Sequence, residues 1–469
     1  MNPWDLPWIE IAIALPLLGG GCVALCREPI VAFRWGLAFS ALTSAAAGLA
    51  WIGFRMGSPG QEWGLQSQIF GRQVLHLDAL SAPLVPLVAL LYLLTIIATP
   101  RTKMGRFSFT GSFISESLQL AAFSCSDPWV LIGLLAAGTV PPFVLLRNRD
   151  KPTRVYAVHM ALFVTLLVGG RAIAVAFAGD GWATVPLMGA VLLRCGTVPA
   201  HCWITDWFEH SSFGNALLFV APLTGVYAAV RLVLPIAPDW VLQGIGIVSL
   251  FTAIYAAGMA TVQRETRRFF AYLFISHASL VLLGLELVNS ISLTGALCLW
   301  LSVALGLGGL GLTLRAVEGR VGRLTLVKYH GLYEASPALA VCFLLTGLAS
   351  VGFPGTLGFV ATELLVDGAV EADLFLGLVV AVAAALNGIA IVRVYLLIFT
   401  GARHVSTVSL AINPRERLAV LTLAVLILLG GIFPQPGVTS RHRAADAILK
   451  DRAERAGVGD AAKVEHAKR

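Results

Sequence analysis

Charge is scarce in this chain: of 469 residues, 13% are Asp, Glu, Lys or Arg, about half the usual share of a soluble domain. That deficit excludes a water-soluble enzyme. The small basic excess, 33 Lys and Arg against 26 Asp and Glu, gives no footing for nucleic acid, because basic residues between apolar blocks serve to orient a membrane protein. The seven cysteines (Cys22, Cys26, Cys125, Cys195, Cys202, Cys298, Cys342) form no CxxC pair and no CxxCH haem site, so no iron–sulfur cluster, haem or structural zinc is expected. Also missing are a GxSxG nucleophile elbow, a GxxxxGKS/T phosphate loop, a GxGxxG placed after a strand and an HExxH pair. The opening MNPWDLPWIEIAIALPLL lacks the basic segment and cleavage site of a secretory signal, so its apolar block reads as a first membrane helix.

What is present is apolar length. Hydrophobic residues make up 57% of the chain and fall into fourteen blocks of the size needed to cross a hydrocarbon core of about 30 Å. These lie at 7–26, 30–54, 79–99, 110–126, 128–147, 154–178, 183–200, 213–235, 239–262, 269–289, 292–315, 337–366, 374–400 and 418–434. The fourth is the weakest, diluted by Ser112, Ser115, Glu116 and Gln119. No ten-residue alternation suggests a barrel, so the expected fold is an all-α polytopic membrane protein with about 14 transmembrane helices.

Lys and Arg collect after odd-numbered blocks: Arg101, Lys103 and Arg106; Arg147, Arg149, Lys151 and Arg154; Arg264, Arg267 and Arg268; Arg315, Arg320, Arg323 and Lys328; Arg403, Arg415 and Arg417. By the positive-inside rule both termini then lie on the outer side. The tail, residues 441–469, dissents with eight basic against five acidic groups.

Two blocks are interrupted. Gly196 and Pro199 break block 7, and Gly352, Pro354 and Gly355 break block 12. Five blocks apart, they would enter the membrane in opposite senses, as inverted repeats with broken helices at a transport site do; ordinary proline kinks are the plainer alternative. Ionisable groups at membrane depth are costly and so are candidates for function. They are Arg171, Arg194, His277, Glu363 and Arg393, with His201, Asp206, Glu209 and His210 clustered after block 7. Histidine suits proton relay, whereas arginine holds its proton and tunes neighbours instead. For His201 and His277 an interhelical hydrogen bond competes with the relay reading. Glu116, Asp127 and Glu286, near block ends, read as interfacial or capping residues. Glycines in LGLGGLGL, residues 305–312, read as close helix packing.

Five stretches resemble the antiporter-like membrane subunits of complex I and its Mrp-type relatives, most of all the M-type subunit of bacterial NADH-quinone oxidoreductase. They are HLDALSAPL (76–84), RCGTVPAHCWITDWFEHSS (194–212), ETRRFFAYLFISHASLVLLGL (265–285), and the pair LASVGFPGTLGFV (348–360) and NPRERLAVLTLAVLILLGGIFPQP (413–436). The resemblance covers roughly residues 70 to 440. It implies N-terminal helices at 1–108, two inverted five-helix repeats at 109–235 and 236–400, a last helix at 401–440 and a basic polar tail at 441–469. It further implies a bacterial cytoplasmic-membrane location, other membrane subunits and the bilayer as partners, quinone or NADH bound through partner subunits alone, and no cofactor of the chain's own.

The chain departs from the family at its proton path. Ala136 or Ala137 stands where the family has a helix 5 glutamate, and Arg194 replaces the helix 7 lysine. The helix 8 lysine position falls near Leu223 and the helix 11 histidine near Val303. A glutamate–lysine switch that tunes the lysine by distance cannot work unaltered with these residues. Three readings follow: a complex I-like subunit with impaired or rerouted conduction, a non-conducting structural subunit, and an energy-coupling subunit of a sodium/proton antiporter or inorganic-carbon uptake complex.

Overall fold

The computed structural model describes residues 6–57, 68–69, 72–177, 180–402 and 410–455. Among them, a two-stranded antiparallel hairpin, β1 (Gln68–Ile69) with β2 (Arg72–Gln73), is set in an otherwise helical chain. The first half runs α1 (Trp8–Ala24), α2 (Pro29–Met56), α3 (Leu84–Ile97), α4 (Phe109–Ser124), α5 (Pro128–Ala137), α6 (Val140–Arg147), α7 (Arg154–Ala176), α8 (Val185–Cys195), α9 (Cys202–His210), α10 (Phe213–Val220) and α11 (Thr224–Ala228), the last continued by a π turn over Ala229–Val233. The second runs α12 (Asp239–Val262), α13 (Thr266–Glu286), α14 (Ser290–Val321), α15 (Pro337–Ser350), α16 (Leu357–Ala372), α17 (Leu374–Phe399), α18 (Pro414–Ile432) and α19 (Gln435–Arg455).

All fourteen apolar blocks are occupied by helix, but not by fourteen continuous rods. Among the described residues, eight helical stretches are long and apolar enough to cross a membrane, or nine if α18 and α19, bent by 79°, count as one. Several blocks are filled instead by shorter helices or broken pairs. Local chemistry sets many of the starts. Proline opens α2, α5, α15 and α18 where a missing N–H costs nothing. The Asp127 carboxylate caps α5 through the amides of Trp129 and Val130, which agrees with its reading as a cap. α13 and α14 are buried nearly all round and form the core, whereas α2, α7 and α17 leave much of their surface outside. Gly309 shows why the 305–312 run is glycine-rich: a Cβ there would lie 2.5 Å from the Thr346 side chain of α15.

Each end of the bundle is stapled by arginines. At the basic end Arg267 forks onto Glu318, at 2.8 and 2.6 Å, and donates to the Phe208 and Ser211 carbonyls, both at 2.8 Å. At the opposite end Arg231 pairs with Asp78 at 2.6 Å. Burial of Asp78 works against its charge, but Arg231 and the Ser81 amide outweigh it and hold the carboxyl below its ordinary value. The polar helix α19 folds back over this same end. Arg441, 1% exposed, donates to the Leu80 and Ala79 carbonyls, and Arg452 to those of Leu234 and Ala237 and to the Asp239 carboxylate. Two of the tail's eight basic groups are thus spent on backbone carbonyls and a carboxylate at this end; residues 456–469 lie outside the described residues.

Candidate functional site

Proline breaks leave helix carbonyls without their amide donors, and polar side chains from other helices take them over. α15 ends at Ser350, whose carbonyl would accept from residue 354; that residue is Pro354. His277 of α13 fills the gap. Its Nε2 lies 2.9 Å from the Ser350 oxygen and its Nδ1 2.8 Å from the Leu273 oxygen. A second break, absent from the sequence reading, separates α10 from α11. Pro222 supplies no N–H to Leu218, and Gln119 of α4 donates to that carbonyl at 3.1 Å. Leu223 follows in a left-handed conformation, φ +54°, which costs a side-chain-bearing residue roughly 1–2 kcal/mol. The expected break in block 7 lies between α8 and α9, where Gly196 has φ +71° and a Cβ would meet Ile204 at 2.2 Å. The freed Val198 amide donates to Thr252.

His277 is held in a telling way. Both neighbours of its ring are carbonyl oxygens, which only accept, and a neutral imidazole carries one N–H. The neutral ring therefore satisfies one carbonyl, and the imidazolium satisfies both. Beside it Asn387 donates to Ser276, which donates to the Ala253 carbonyl, each at 2.8 Å. The Asn387 Oδ1 is buried without a partner. His277, Ser350, Thr362 and Asn387 line one small void. One turn along α13 from Ser276, Tyr272 lies 5.8 Å from the His201 ring, and Tyr255 lies 5.5 Å from it, centroid to centroid. Polar side chains thus flank both breaks, Tyr255 and Tyr272 at His201 beside the α8–α9 break and Ser276 and Asn387 near His277 at the α15–α16 break. Tyr255, Tyr272 and Asn387 escaped the sequence reading of ionisable groups because none carries charge at neutral pH.

The first half is built differently. Arg194, at the end of α8 and 7% exposed, lies over the rings of Phe219 and Trp203, 4.3 and 5.3 Å from their centroids. It has no carboxylate partner among the described residues. The reading of Glu116 as an interfacial or capping group is corrected: it sits at mid-helix in α4, 0% exposed, with both carboxylate oxygens unpartnered. The Tyr92 hydroxyl, from α3, is likewise buried and unpaired. Ser115, Gln119, Arg194 and Thr224 line a void beside this helix. Glu286, the last residue of α13, is also buried, at 7% exposed. Among the replaced positions, Ala136 and Ala137 end α5, Leu223 is the break residue, and Val303 is buried in the middle of α14.

Other candidates fall away from this seam. Glu209 pairs with Arg268 at 2.7 Å; the hydrogen bonds from Arg268 hold its carboxyl below the ordinary value. Asp206 pairs with His210 at 3.2 Å, and its Oδ2 is buried and unpartnered. Arg393 donates to the Gln263 carbonyl just past the end of α12, and Arg171 is half-buried in α7. Glu363 is exposed on the outer face of α16, one residue from the inward Thr362. No group of three or more His, Cys, Asp or Glu among the described residues is placed to hold a metal ion.

Residues 155–387 match the family model described as NADH:quinone oxidoreductase/Mrp antiporter, transmembrane. NAD(P)H-quinone oxidoreductase chain 4 of Synechococcus elongatus is 28% identical over 93% of this chain and 90% of its own length. NADH-quinone oxidoreductase subunit M of Pseudomonas aeruginosa is 24% identical over 92% of this chain and 94% of its own. In solved structures, a chain of respiratory complex I from Thermus thermophilus with bound NADH superposes with a TM-score of 0.82 at 22% identity, covering 95% of this chain and 99% of that one. A chain of the Mrp complex from Dietzia does so at 0.83 and 19%, covering 96% and 98%. With its broken helices, its buried histidine and these similarities together, the chain belongs to the family of antiporter-like membrane subunits shared by NADH:quinone oxidoreductases and Mrp antiporters.

Proposed function

We propose that this chain is the M-type subunit of a complex I-like assembly, in which quinone and NADH are bound by partner subunits, and that it moves protons along a rerouted path. The observation that carries the reading is the His277 ring, set between the Leu273 carbonyl and the Ser350 carbonyl that Pro354 leaves free. Gaining and losing a proton there changes how many carbonyls the ring can satisfy, and so couples protonation to the helix break. The reading includes fourteen spans, inverted repeats at 109–235 and 236–400, both termini outside and a bacterial cytoplasmic membrane; it rests on the positive-inside pattern and on breaks five blocks apart.

Two other readings remain. Arg194, lying over aromatic rings without a carboxylate, favours a first half that is structural rather than conducting. The likeness to a chain of the Mrp complex keeps open an energy-coupling role in a sodium/proton antiporter or an inorganic-carbon uptake complex. Proton flux in proteoliposomes containing the purified assembly separates these. His277→Ala should abolish most of the flux and Arg194→Ala should change it less; unchanged flux in both variants would remove the reading that these residues carry the path. Sodium-dependent flux without quinone chemistry would select the antiporter reading.

A further inference from the structure

A cavity of about 730 Å³ forms a cleft between α4 and the interrupted pair α5–α6. Its size falls in the range of small-molecule sites. Its shape follows from the sequence. Gly138 and Thr139 interrupt the block, and Pro141 and Pro142 deprive the Ala137 and Gly138 carbonyls of helical donors, and Ala137, Val140 and Pro141 at that interruption line the cleft.

The two ends of the cleft differ in chemistry. At the basic end its rim is Ser108, Thr110, Asn148 and Arg149. Ser108 is the N-cap of α4, so the positive end of that helix faces the rim as well. Deeper in, the walls are Ile114, Leu118, Ala137 and Val140, with Ile114 38% and Val140 54% exposed. From Ser108 to Leu118 is about 15 Å of helix, and from Arg149 to Ala137 at most about 18 Å. Either length is close to one leaflet, half of a hydrocarbon core of about 30 Å.

We propose that this cleft binds one anionic phospholipid from the leaflet at the basic end, its acyl chain lying along the Ile114–Val140 walls and its phosphate at Arg149 and the α4 N-terminus. An apolar trough open to the bilayer does not stay empty, because its walls would lose dispersion contacts, and it offers water few polar partners. The tail gains little by leaving other tails, which are as apolar as the walls. Selectivity is therefore assigned to the headgroup. A glutamate at 137, one of the two candidate helix 5 positions, would face the acyl chain.

The test uses the assembled complex in phosphatidylcholine nanodiscs doped with phosphatidylglycerol bearing a diazirine in its tail, with adducts mapped by mass spectrometry. Adducts should concentrate on α4 and α6 over the comparably exposed Leu421 and Val425 of α18. They should favour the glycerol headgroup over a diazirine-bearing phosphatidylcholine by about five-fold, the factor expected from one arginine near the surface. Arg149→Gln should bring that preference near parity while leaving the adducts in place. Val144→Trp, which fills the cleft from its rim, should remove them. Equal labelling of the cleft and α18, or no preference between headgroups, would overturn the proposal. So would an unlabelled cleft in the assembled complex, the mark of a partner helix seated there.

Discussion

Replacing Glu116 by leucine should make the protein more stable and less active at once. The side chain is 0% exposed in the middle of α4, and neither carboxylate oxygen has a hydrogen-bond partner. Leaving a buried polar group unsatisfied costs about 1–3 kcal/mol. Leucine removes the polar atoms and nearly conserves volume, so most of that cost should be recovered, a factor of roughly 5 to 150 in the folding equilibrium. A group kept at such cost fits a functional role, where stability and activity conflict. The Tyr92 hydroxyl and the void lined by Ser115, Gln119, Thr224 and Arg194 are where waters would hand a proton to and from the carboxyl. The assays are a thermal melt of the purified complex and proton uptake by proteoliposomes, each for wild type, Glu116→Leu and Glu116→Gln. Leucine should raise the melting point, glutamine should change it little, and both should lower flux. A leucine variant that melts lower while pumping normally would refute the reasoning, because the carboxyl would then be a structural partner.

Three further outcomes follow from the geometry. Pro354→Ala returns an amide to the Ser350 carbonyl in competition with His277; flux should fall while the complex still assembles, and unchanged flux would separate the histidine from the path. Arg267→Lys keeps the charge but loses the fork onto Glu318 and at least one of the Phe208 and Ser211 carbonyls, so stability should drop by about 1–3 kcal/mol, checked by detergent-dependent melting. Because the Asp78 carboxyl is depressed in the folded protein, its contribution is present above the unfolded pKa and is lost as pH falls through the folded one. The melting difference between wild type and Asp78→Asn should persist from pH 7 to 5 and fade below about pH 4; a difference that fades between pH 7 and 6 would contradict the assignment.

The helices were legible because spanning length and apolar composition are local properties. Environment was not. Ser112, Glu116 and Gln119 made α4 look like the weakest block, yet they are spaced four and three apart and all are buried, one inward face of a helix. The dilution marked a polar interior rather than a poor span. Depth without direction also misled: Glu363 and Thr362 are neighbours in sequence, but the first faces out and the second lines the His277 void. Pro222 was visible inside an apolar run, and its effect on Leu218 became visible once α4 was packed beside it. Asn387 of α17, His277 of α13 and Ser350 of α15 line one void, a juxtaposition that no spacing in the chain encodes.

The clasp made by α19 sets an order of events. Arg441 holds the carbonyls of Ala79 and Leu80, more than 360 positions earlier in the chain, and Arg452 holds the turn before α12. During synthesis those carbonyls therefore wait, tied by water, until nearly every helix has been inserted. Closure of that end is among the last steps of folding, and it reports that the preceding helices have reached their places.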